Sequence, residues 1–243
     1  SNQKFNNWIK QNTIPHKILG NSIVLISLKS ENRPPGDANS MQMYKLANIA
    51  DKFSFGEIRV THEQNLVLPH VKNSEIYKVW NELDKLELAT PNIDLITDTI
   101  CCPGMDYCAL ATARSIPISQ QISNFFKDYG DQKKMGNIKI KISGCINACG
   151  HHHVGNIGIL GLDRNGKEFY QITLGGSSKQ DASIGQIVGP SFSSENLIIA
   201  IKKILQTYQK NKSSDKDDFM TVFRRIGIEE FKKNLYDNTG KTN

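Results

Sequence analysis

Apolar positions along the chain recur in two periods, and the switches between them mark out the elements. SIVLISLK (22–29) is a short apolar, β-branched run and predicts a strand. In MQMYKLANIADKF, residues Met43, Leu46, Ala47 and Ala50 repeat at helical spacing behind Ser40, a cap residue. GEIRVT (56–61) and NLVLP (65–69) predict strands joined by a tight polar turn, and SEIYKVWNELDKL (74–86) predicts an amphipathic helix. Ahead of these, FNNWIKQNTIPHK predicts a short helix stopped by Pro15. SENRPPGDANS (30–40) is rich in loop formers. The order β-α-β-β-α over the first 90 residues is close to a ferredoxin-like α+β unit.

Beyond residue 90 the pattern is mixed α/β, which predicts a second domain over 91–243 beside a first over 1–90. CALATARS (108–115) suits a helix, and ISQQISNFFKDY (118–129) a second helix ended by Gly130. NIKIKIS (137–143) alternates as a half-buried strand does. VGNIGILGLD (154–163) and EFYQITLGG (168–176) predict two more strands. SSENLIIAIKKILQTYQ (193–209) predicts a long helix with Ser caps, KNKSSDKDD a solvated linker, and DDFMTVFRRIG and IEEFKKNLY closing helices.

Composition narrows the possible functions. At 243 residues, 38% hydrophobic and 22% charged, the chain has the profile of an ordinary globular protein. No apolar run approaches the roughly 20 residues of a membrane-spanning helix. The net charge of +6 permits an acidic partner or an anionic substrate. Without an aromatic-interleaved basic patch, no nucleic-acid partner is expected. The start has no signal-peptide layout, and five cysteines is an odd count, so reduced thiols in a cytoplasmic setting are expected.

Four of those cysteines fall in two clips. Cys102 and Cys108 form C-x5-C, and Cys145 and Cys149 form C-x3-C; Cys101 is left over. Four thiolates can close the shell of an iron–sulfur cluster. Zinc competes, because C-x3-C fits the knuckle range, although C-x5-C is long for it. A redox dithiol or buried structural cysteines remain open on spacing alone. His151, His152 and His153 follow at once; they fit packing or solvent exposure, metal ligation, or hydrogen bonds to an anionic cofactor. Arg59, Thr61, His62, Gln64 and Asn65 cluster near a strand pair, either to grip carboxylates or to close a hairpin. Gly175 and Gly176 suggest backbone pressed against something flat or anionic.

TDTICCPGMDYCALATARS, ISGCINACGHHHVGNIGILG and FGEIRVTHEQNLVLPHV together resemble the nitrite/sulfite reductase hemoprotein family, with the match running from about residue 14 to 238. The chain is similar to the C-terminal half of such a reductase, a ferredoxin-like subdomain followed by a cluster- and siroheme-binding subdomain with C-terminal helices. The resemblance implies that Cys102, Cys108, Cys145 and Cys149 bind a [4Fe–4S] cluster and that Cys149 also reaches the siroheme iron. It implies that Asn147 lies near the macrocycle, and that Arg59, Thr61 and Gln64 form the family's R-x-T-x-x-Q pattern. It further implies six-electron reduction of sulfite to sulfide, or of nitrite to ammonia, with electrons from a separate ferredoxin or flavoprotein. The family's anion-binding Arg and Lys come mostly from an N-terminal half, so the chain alone is expected not to turn over. The wording of CINACGHHH and VTHEQNLVLPHV is nearest to assimilatory, bacterial sulfite-type members. A non-catalytic iron–sulfur electron-transfer protein and a zinc-stabilised binding module are the competing readings.

Overall fold

The structure, a computed structural model of the chain, describes residues 2–30 and 33–236. Glu31 and Asn32 of the predicted loop, and residues 237–243 at the end of the predicted second domain, lie outside the described residues. The chain divides into two compact units, Ser1–Asp94 and Leu95–Asn243.

The first unit opens with α1 (Gln3–Asn12), whose first turn is capped by the Asn2 side chain. Its Trp8 is fully buried. Directly after it comes β1 (Thr13–Pro15), a strand that the sequence reading missed by treating Pro15 only as a helix stop. Proline is tolerated there because β1 is an edge strand, where a missing N–H need not break a ladder. β2 (Asn21–Ile26), β3 (Arg59–Val60) and β4 (Leu66–Lys72) complete an antiparallel sheet of order β1-β2-β4-β3. Helix α2 (Ser40–Phe53) is capped by Asn39 rather than Ser40. Asn39 and Gln42 exchange side-chain-to-backbone bonds in a capping box. With α3 (Ile76–Lys85), these elements enclose a core that includes Trp8, Val24, Ile26, Leu46, Leu68 and Val79.

The second unit holds a five-stranded sheet in sequential order: β5 (Ile100–Cys101), β6 (Ile140–Ser143), β7 (Ile157–Arg164), β8 (Lys167–Leu174) and β9 (Gln186–Ile187). β5–β6 and β6–β7 are parallel; the remaining pairs are antiparallel. The alternation in NIKIKIS suggested a half-buried strand, yet all four residues of β6 are buried, Lys141 included. A strand with parallel neighbours on both sides is covered on both faces.

Among the described residues, four helices complete the unit: α4 (Ile116–Phe125), α5 (Tyr129–Met135), α6 (Ser194–Lys210) and α7 (Phe219–Tyr236). α7 is kinked at Gly227, where φ is 74°. The predicted single helix over 118–129 ends early. Asp128 then caps a new helix by accepting from the Asp131 amide, and Gly130 lies inside it. Ser193 precedes α6 without a side-chain cap bond. No helix among the described residues is long and apolar enough to cross a membrane.

Candidate metal centre

The two cysteine clips leave neighbouring parallel strands at the same level. Cys101 pairs with Ile142 across β5 and β6, so Cys102 and Ser143 emerge side by side from the carboxyl ends. Carboxyl ends of parallel strands are where open α/β sheets place their ligands. The Cys102 amide bonds the Ile142 carbonyl at 3.1 Å, and the Gly144 amide donates to Cys102 Sγ at 3.1 Å. The Ser115 hydroxyl lies 3.4 Å from the same sulfur.

After Cys102 the chain turns through a 3-10 segment, Gly104–Asp106, and the Cys108 amide bonds the Gly104 carbonyl at 2.9 Å. CALATARS is not the helix its spacing suggests. The amides of Thr112 and Ala113 both donate to the Gly144 carbonyl, at 2.9 and 3.0 Å, so they cannot enter a helical ladder. This strap ties the first clip to the second.

The approach depends on small residues. A Cβ at Gly144 would sit 2.6 Å from the Ala113 carbonyl, and one at Gly161 only 2.6 Å from Ala113 Cβ. The glycines around the clips therefore serve the protein's own packing.

Between Cys145 and Cys149 the chain makes a tight turn, with the Ala148 amide on the Cys145 carbonyl at 3.2 Å and Ala148 at φ 57°. Cys102 and Cys145 are buried, Cys108 is half-buried, and Cys149 is exposed, as is Asn147 beside it. Cys101 belongs to the core of the unit.

A closed tetrahedral zinc site, with Zn–S of about 2.3 Å, needs sulfurs roughly 3.8 Å apart. Among the described residues, no three cysteine sulfurs lie within 4.8 Å of one another. Four thiolates on two clips are a complete ligand set for a [4Fe–4S] cluster.

The histidine triplet is split. His151 and His153 are exposed; His152 is buried, its ring 3.9 Å from that of His153 and its Nδ1 without a partner among the described residues. Burial, and then the charge of His153, push the His152 pKa down to about 4. Gly175 does press against something flat: a Cβ there would lie 2.1 Å from the ring of Phe223.

Arg59, Thr61 and Gln64 all lie in the first unit, and the clips in the second. Thr61 builds the turn between β3 and β4. Its hydroxyl accepts from the Asn65 amide at 3.0 Å and its carbonyl from the Gln64 amide at 3.2 Å. The hairpin reading therefore holds for Thr61. Gln64 sits at φ 57° in that turn. Arg59 is exposed and its guanidinium is engaged by Glu57 at 2.5 Å. Glu57 also meets His70 Nε2 at 3.0 Å, and the Arg59 hydrogen bond leads the influences that hold the Glu57 carboxyl below its usual range. The sequence reading missed this Arg59–Glu57–His70 group and missed Ser115. Ser115 fell at the end of the stretch expected to be helical, where nothing in the spacing singles it out.

Fold and site together define a two-unit α+β protein with paired thiolate clips at parallel strand ends. The family model described as "Nitrite and sulphite reductase 4Fe-4S domain" matches residues 93–242, and that of the "Nitrite/Sulfite reductase ferredoxin-like half domain" matches residues 32–86. The chain belongs to the nitrite/sulfite reductase family, and membership implies a [4Fe–4S] cluster and siroheme.

Similar proteins include a chloroplastic ferredoxin–nitrite reductase of Spinacia oleracea, 29% identical over 71% of this chain and 30% of its own length. A sulfite reductase [NADPH] hemoprotein beta-component of Buchnera aphidicola is 26% identical over 80% of this chain and 33% of its own. Among solved structures, the Mycobacterium tuberculosis NirA protein shares the fold with a TM-score of 0.74 at 21% identity, covering 90% of this chain and 41% of that one. Dissimilatory sulfite reductase I shares it at 0.71 and 10% identity, over 92% of this chain and 72% of that one. The chain spans about a third of the length of these two curated relatives.

Proposed function

We propose that this chain is the cluster-bearing half of an assimilatory siroheme-dependent sulfite reductase. Cys102, Cys108, Cys145 and Cys149 hold the [4Fe–4S] cluster, and Cys149 is shared with the siroheme iron. The observation that carries the reading is the set of four thiolates on two clips whose backbones are bonded to each other. The exposure order supports unequal roles. Cys149 is the exposed one of the four, so its sulfur is open to a second metal centre. When bound, the cluster and siroheme supply single electrons and an iron that holds the anion while S–O or N–O bonds are broken.

The remaining roles fall to the chain's own side chains. The 1–90 ferredoxin-like subdomain offers Arg59 and Gln64 to the carboxylates of the macrocycle, with Thr61 holding their turn. To bind one, Arg59 must exchange its Glu57 partner, and Glu57 then retains His70. In the 91–243 subdomain, Asn147 stands exposed beside Cys149, facing outward from the clip. The anion-binding cations come from an N-terminal half, and electrons from a ferredoxin or flavoprotein donor.

Sulfite is supported by the longer match to the sulfite reductase hemoprotein, over 204 residues. Nitrite is the second reading, supported by the higher identity of the ferredoxin–nitrite reductase, 29%. The test is to load the chain with iron, sulfide and siroheme and to record its absorbance. A Soret band with a red band, lost on alanine substitution of Cys149, is expected. A colourless chain that binds only zinc overturns the reading. A chain that takes up the cluster but no siroheme is instead an electron-transfer protein. Assay of the loaded chain with sulfite and with nitrite is expected to show no useful turnover until an N-terminal half is added, and the faster anion then identifies the substrate.

A further inference from the structure

We propose that Ser115 is a positioning residue for the cluster, donating its hydroxyl hydrogen to the Cys102 sulfur and raising the cluster's reduction potential. The inference rests on the reading of Cys102 as a cluster ligand and goes beyond it, to what sets the energy of the electron held there.

Ser115 stands at the N-cap of α4, where a serine ordinarily turns its oxygen to the free amides of the first helical turn. It does not do so. It makes no side-chain cap bond, and its backbone, at φ −109° and ψ −40°, is not in the extended cap conformation. The hydroxyl points the other way, 3.4 Å from Cys102 Sγ, and the residue is fully buried. Its slot is made by the clips themselves. A Cβ at Gly104 would lie 2.8 Å from Ser115 Oγ, and one at Gly144 3.0 Å from it. A bulkier residue at either position would push the hydroxyl off the sulfur.

In a free thiol either atom of the Ser115–Cys102 pair can be the donor. A ligating thiolate has no proton, so the direction becomes fixed and Ser115 donates. Cys102 Sγ then accepts from both Ser115 and the Gly144 amide. Adding one electron to the cluster makes and breaks no bond and moves no proton; it raises the negative charge on the sulfurs. Donors aimed at a sulfur stabilise that more negative state, and so raise the potential.

The experiment uses the full chain loaded with its cluster and titrated by reduction. Ser115→Ala is expected to lower the potential. At a fixed potential near the midpoint, the oxidised-to-reduced ratio should rise by about three- to tenfold, tenfold being about 59 mV for one electron. Ser115→Thr, which keeps the hydroxyl, should recover most of the shift. In the wild-type reduced chain, pulsed electron paramagnetic resonance should find a proton near the cluster that exchanges in D2O and is missing in Ser115→Ala. An intact cluster of unchanged or raised potential in Ser115→Ala overturns the inference. If that variant holds no cluster, the decision passes to the wild-type spectrum against Ser115→Thr, and the lack of any exchangeable coupling beyond that of the Gly144 amide overturns it. Failure of the underlying reading looks different: Cys102→Ala would then keep a native four-iron spectrum.

Discussion

The amide of Gly144 donates to the sulfur of Cys102 across 3.1 Å, and this bond joins the two clips. It forms because nothing projects from residue 144. A Cβ there would meet the Ala113 carbonyl at 2.6 Å and Gly104 Cα at 2.9 Å, both on the first clip's return path. Gly144→Ala must therefore spread the clips. Overpacking of this kind costs about 1–3 kcal/mol. Urea denaturation should show that loss, and the variant should take up less iron than wild type. Unchanged stability with full iron content would mean that the clips tolerate separation.

Cys101 and Cys102 are adjacent but differ in surroundings. Cys101 is in the β5 ladder opposite Ile142, within the core; Cys102 is at the strand exit with its sulfur against two polar groups. Cys101→Ala should keep the cluster spectrum and lose about 1 kcal/mol for the buried sulfur removed. Loss of the spectrum in Cys101→Ala, with retention in Cys102→Ala, would reverse the ligand assignment.

Much of this was legible in the chain because it is local. Helical and strand periods in 40–86 predict α2, β4 and α3 closely, and the cysteine spacing predicts two clips. What escaped depends on partners far along the chain. CALATARS has helical spacing, but the carbonyl that claims the Thr112 and Ala113 amides belongs to Gly144. Gly175 signals a flat neighbour without identifying it, and the ring is that of Phe223. Pro15 signals that a helix must have ended before it, yet its place on an edge strand depends on pairing with Ser22. Ser115 ends the helix expected over CALATARS, and its contact with Cys102 depends on how the first clip folds back.

Lys139 carries the charge opposite a carboxylate that solvent does not reach. Asp98 is fully buried, and Lys139 Nζ lies 3.0 Å from its Oδ2. Removing one member of a buried pair weakens the compensation of the other charge, at a cost of up to about 3–5 kcal/mol. Lys139→Met keeps the apolar stem and should lose about 3 kcal/mol in denaturant. The double variant Lys139→Met, Asp98→Asn should regain part of it. If the double variant is as unstable as the sum of the two single changes, the pair is not coupled.

His152 makes stability depend on pH in a direction that its burial fixes. It lies in a 3-10 turn, 2% exposed, and its folded pKa is pushed down to about 4 from 6.5 by burial first and by His153 second. Between those two values the unfolded chain binds a proton that the folded chain refuses. Stability contributed by neutral His152 is therefore full above about pH 6.5 and falls as pH drops toward 4. Each pH unit in that window is worth about 1.4 kcal/mol, so lowering the pH from 7.5 to 5 should cost about 2 kcal/mol through this residue. Other groups titrate over the same range, so the comparison is with His152→Phe, which keeps a ring and cannot titrate. Urea denaturation at both pH values should show the wild-type chain losing about 2 kcal/mol more than the variant. Equal losses would mean that His152 is protonated in the folded chain at pH 5, and that the turn opens enough to admit water.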